Sequence, residues 1–124
     1  MKINKNKRDI AVAVTIIVML FLSAIANALI CSNRLDELGA LVGEIESGDI
    51  AAADRVSERF TKIALFISIT VNHDDLEDAE VCVIEFQEAV NSEDDAALRL
   101  AKSRLISAIG HLKRLSGISI DSII

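Results

Sequence analysis

The residue types best suited to chemistry gather around position 73. His73 is followed by Asp74, Asp75, Glu77 and Asp78, and a second histidine, His111, stands towards the other end of the chain. Imidazoles and carboxylates bind metals and carry protons, so a His73–His111–carboxylate site with Asp74 as a ligand is chemically possible if the fold joins the two histidines. No H-x-x-x-H or E-x-x-H spacing accompanies them. Each residue also has a simpler use. Asp74 with Glu77 three residues later has the spacing of a capping box, acidic groups in a first turn complement the helix dipole, and an imidazole near a helix end can hydrogen-bond the last free carbonyls. The expectation is hydrogen bonding between helices, with no metal and no cofactor.

Cys31 and Cys82 are the only thiols. A bridge between them would join the edge of the apolar N-terminal run to the middle of a later helix, so two free thiols are expected. Cys82 beside Val83 reads as a small core residue, and Cys31 as an unpaired thiol able to cross-link two copies. There is no nucleophile elbow, P-loop, dinucleotide fingerprint or zinc-protease motif. No catalytic residue is assigned, and the chain is not expected to be an enzyme.

The elements that carry these residues are helical by composition. The chain has 124 residues, 52% apolar and 3% aromatic, with no Pro, Trp or Tyr and five Gly, a mix that disfavours a β sandwich or barrel. Residues 10–30, IAVAVTIIVMLFLSAIANALI, carry no charge, and twenty-one residues of helix reach about 30 Å, the thickness of a bilayer core. Residues 1–9 hold Lys2, Lys5, Lys7 and Arg8 against Asp9, which predicts a cytoplasmic N-terminus, a single pass through the cell membrane and a domain outside it. That domain, residues 32–124, has nine basic and eighteen acidic groups, a charge of −9 that repels nucleic acid. One alternative is a signal peptide cleaved after Ala24-Ile25-Ala26; another is a lipid-modified Cys31, for which Ile30 is a poor preceding residue. Ala24 and Ala28, with Asn27 beside them, form a candidate packing face for a second membrane helix.

Four helices are predicted beyond the span. Residues 33–46 place Leu35, Leu38, Leu41, Val42 and Ile45 on one face and can continue the membrane helix without a break. Gly48 and Asp49 then close one helix and cap the next. Residues 50–70 carry a stripe of Ala53, Val56, Phe60, Ile63 and Ile67, and the all-round apolar run IALFISITV predicts the most buried element. Residues 75–91 repeat Leu76, Ala79, Val83, Phe86 and Val90, and residues 94–114 repeat Leu98, Ala101, Leu105, Ala108, Leu112 and Leu115. Gly110 is tolerated late in this last helix. Ser47-Gly48-Asp49-Ile50-Ala51-Ala52 and Ser92-Glu93-Asp94-Asp95-Ala96-Ala97 share an S-x-D-x-A-A pattern, read as like turn chemistry. Short links make neighbours antiparallel, so an up-and-down four-helix bundle follows, with an acidic third helix attracting a basic fourth. The remaining residues form a tail on the bundle, whose Ile118, Ile120, Ile123 and Ile124 are candidates for contact with a partner.

The run LFISITVNHDDLEDAE, the S-x-D-x-A-A turn before the last helix and the ending AIGHLKRLSGISIDSII resemble a family of small uncharacterised bacterial proteins. Its members have a basic start, one membrane helix, a helical extracytoplasmic domain with a His-acidic turn, and a late His before an apolar tail. His73, Asp74 and His111 match that pattern, whereas the aromatics after the second turn and the Pro after the late His are missing here. The resemblance implies an uncleaved anchor and carries no activity. The expected role is a membrane-anchored, non-catalytic interaction or structural protein of the envelope, working with a protein partner or another copy. The alternatives are a metal- or small-ligand-binding domain using His73 and His111, and a secreted bundle released near Ala26.

Overall fold

In the computed structural model the backbone is described at residues 2–68 and 71–121 and the side chains at 5–68 and 71–116. Those residues form four helices and no strand: α1 (Lys2–Glu44), α2 (Ile50–Ile67), α3 (His73–Ser92) and α4 (Asp95–Asp121). The all-α bundle read from the periodicity is the observed fold. Helix α1 runs unbroken from the apolar span into the bundle. Side chains 5–24 are exposed, and a buried stripe then begins with Cys31, Leu35, Leu38 and Val42.

Each helix packs on two neighbours, α1 on α2, α2 on α3, α3 on α4 and α4 back on α1. Side-chain contacts confirm the antiparallel directions: Gln87 donates to Asp54 between α3 and α2 at 3.3 Å, and Lys113 donates to Asp36 between α4 and α1 at 2.8 Å. The core contains every residue of the α2 and α3 stripes, with Phe86, Leu35, Leu38 and Leu105 at or below 1% exposure. In α4, Ile109 is buried and Ala108 and Leu115 are only partly so, because the stripe shifts by one position near Gly110.

The two turns at the end of the bundle away from the apolar run are built alike. Gly48 (φ 87) and Glu93 (φ 55) are both left-handed, and each is followed by an Asp cap. Asp49 accepts from Ala52 N at 3.2 Å; Asp94 accepts from Ala96 N and Ala97 N at 3.0 and 3.3 Å. The turns also touch, since Gly48 N donates to Val90 O at 3.0 Å.

Three expectations are corrected. The last residues do not leave the helix after Arg114: α4 continues through Asp121, since no Pro interrupts it and glycine costs a helix only about 1 kcal/mol. Helix α3 starts at His73, with Asn72 as its cap accepting from Asp74 N at 3.4 Å, so Asp74 and Glu77 are not a capping box. The end of α2 is not the most buried element, because Leu65 is 71% and Phe66 60% exposed. Among the described residues, the expected attraction between α3 and α4 is carried by two pairs, Arg104 with Glu85 and His111 with Asp75. Arg104 reaches Glu85 at 3.5 Å, but Lys102 and Lys113 turn to Gly43 O and Asp36 on α1.

Candidate functional site

The predicted histidine site is divided. His73 Nε2 stands 2.9 Å from Glu77 Oε1 on its own helix, one turn on, whereas His111 Nε2 stands 3.5 Å from Asp75 Oδ1 across the α3–α4 interface. His111 is no longer near a helix end, because α4 runs ten residues beyond it, so its partner is a carboxylate on α3. Asp74 is exposed and contributes only its backbone N–H, to Asn72. Among the described residues, no three His, Cys, Asp or Glu side chains converge as a metal site would require.

Both cysteines are free. Cys31 is buried, 4% exposed, within the α1 stripe, so its sulfur is not presented to a second copy as the sequence suggested. Cys82 is half-buried in a groove of about 430 Å³ between α3 and α4, lined also by Asp75, Asp78, Ser107 and His111. Burial, then the Glu85 and Asp78 carboxylates, push its thiol pKa up, with Arg104 opposing. A neutral thiol is the reverse of what a nucleophile needs. His111 in the same groove is engaged with Asp75 at 3.5 Å.

The stripe of Ala24, Asn27 and Ala28 continues downward from Cys31 and Leu35, at helical spacing on the same face. Asn27 and Ala28 are half-buried and Ala24 is exposed. Ile118 and Ile120 fall on the last turns of α4, where only the backbone is described, and Ile123 and Ile124 lie outside the described residues.

A groove not singled out by spacing opens between α1 and α2. It has a volume of about 490 Å³, apolar walls from Ile30, Cys31, Ile63 and Phe66, and charged walls from Arg34, Arg59, Lys62 and Glu37. The ion pairs formed by described side chains are His73–Glu77, Arg104–Glu85, His111–Asp75 and Lys113–Asp36, so the three groove cations stand outside them. The only sequence signal was Arg59 and Lys62 three apart, just ahead of the apolar run of α2.

Comparison with known proteins returns no matching family model, no similar curated protein and no similar solved structure.

Proposed function

We propose that this chain is a single-pass membrane protein with its N-terminus in the cytoplasm, presenting a four-helix domain outside as a non-catalytic interaction or structural element of the envelope. The observation that carries the reading is the continuity of α1. Its most apolar window is only 6% buried, unlike a soluble core helix, and the same helix then supplies the bundle's buried stripe. An apolar surface that the protein leaves uncovered is stable in lipid, where helical backbone groups are satisfied internally. Lys2, Lys5, Lys7 and Arg8 before the apolar run, against Arg34 alone in the twenty positions after it, support the orientation. Val81 and Ile84, exposed one turn apart on α3, support a protein partner for the domain.

The test is the intact mass of the protein from alkaline-washed membranes and from the medium of cells producing it, with protease added to intact cells. Full-length chain in the washed membrane, with its domain digested from outside, is the expected result. A soluble chain beginning at Asn27 would replace the anchor with a secreted bundle. A domain protected from external protease would reverse the orientation.

A further inference from the structure

We propose that the α1–α2 groove holds the phosphate of an anionic phospholipid from the membrane that α1 crosses, an inference that rests on the membrane reading above. Both walls carry the same vertical gradient. On α1, Arg34 follows Ile30 by one turn, about 6 Å farther from the apolar span. On α2, which runs the other way, Arg59 and Lys62 precede Phe66, so their charges also lie on the domain side of an apolar residue. With Ile30 at the hydrocarbon edge, Arg34 falls within the headgroup layer, which is about 5–7 Å thick on each side of a bilayer.

Phe66 is 60% and Ile30 57% exposed, and no packing among the described residues accounts for it. Beneath a bound headgroup these side chains would lie on acyl chain instead of water. Three cations and the single carboxylate of Glu37 give the groove a charge of +2, within a domain whose residues 32–124 sum to −9. Guanidinium and ammonium groups donate to phosphodiester oxygens, and Arg does so with a planar fork. A choline headgroup adds a cation that Arg34, Arg59 and Lys62 repel, so the preferred lipid bears net negative charge.

Full-length protein in non-ionic detergent is mixed with dioleoyl phosphatidylglycerol or dioleoyl phosphatidylcholine, and bound lipid is counted by native mass spectrometry. The wild type is expected to retain the anionic phosphatidylglycerol about tenfold better, and Arg34→Gln/Arg59→Gln/Lys62→Gln to lose that preference. Arg99→Gln/Lys102→Gln/Arg114→Gln, which removes equal charge elsewhere, is expected to keep it. Phe66→Ala, at an exposed position, is expected to weaken retention with helix content unchanged by circular dichroism. Equal retention of the two lipids, or equal loss in both triple variants, would overturn the inference. Alkaline extraction separates the two readings. An anchored chain without lipid preference sinks this proposal alone, whereas a cleaved, soluble chain sinks both.

Discussion

Gly48 and Glu93 occupy equivalent places, yet only one of them is a glycine. At φ 87 a Cβ on Gly48 would meet nothing closer than Glu93 Oε1 at 3.6 Å, so the obstacle to a side chain there is the backbone and not space. A left-handed L-residue costs about 1–2 kcal/mol, and Gly48→Ala is expected to lower unfolding stability by that amount. Glu93 already bears this strain at φ 55, so Glu93→Gly is expected to raise stability by about 1 kcal/mol in chemical denaturation. If both changes moved stability in one direction, the equivalence of the turns would be wrong. Cys82 supplies a residue-scale dependence on pH. Its thiol pKa is raised in the fold, so the folded state binds the proton more tightly than the unfolded chain does. Stability from this group is therefore full below the ordinary thiol pKa and is lost as pH rises towards the higher folded value. Thermal melts between neutral and alkaline pH should show a decline that Cys82→Ala lessens, and alkylation of Cys82 should need higher pH than that of a free thiol.

At the scale of elements, periodicity identified the α2 and α3 stripes in full and the α4 stripe through Leu105, but it could not tell whether the remaining apolar faces would also be covered. Val56, Phe60, Ile63 and Ile67 recur at three- and four-residue spacing and are buried, whereas Leu65 and Phe66 lie between stripe positions and point away. Reading an apolar run as buried assumes that the alternative is water. Under the membrane reading proposed above, the alternative at the α2 end nearest the apolar run is lipid, and the exposed Leu65 and Phe66 fit that setting. The start of α3 was misjudged because Asn72 and Asp74 are both good caps, and the choice between them depends on backbone angles that spacing does not carry. The α1–α2 groove was not legible because Arg34 is far in sequence from Arg59 and Lys62, and only the antiparallel pairing joins them. Two phenylalanines separate buried stripe from exposed face. Phe86→Ala, at 0% exposure, is expected to cost about 3–5 kcal/mol in denaturant unfolding, and Phe66→Ala less than about 0.5 kcal/mol.

Across the whole molecule, α1 joins an exposed apolar half and a buried half in one continuous backbone. Its first half leaves Ile16, Ile17 and Leu20 more than half exposed, and its second half buries Leu35 and Leu38 to 1% or less. Substitutions in the two halves should therefore separate membrane retention from bundle stability. A cation at the centre of a spanning helix costs about 2.5–3.5 kcal/mol on insertion scales, so Ile17→Arg is expected to reduce recovery in alkaline-washed membranes. The same change touches none of the core, and the thermal midpoint of the bundle in detergent should not move. Leu38→Ala is expected to do the opposite, costing about 2–5 kcal/mol of bundle stability while membrane recovery is unchanged. A variant that moved both readouts together would show that span and bundle fold as one cooperative unit. Separate responses would mean that α1 is joined covalently through the boundary near Cys31 but is stabilised by lipid on one side of it and by protein packing on the other.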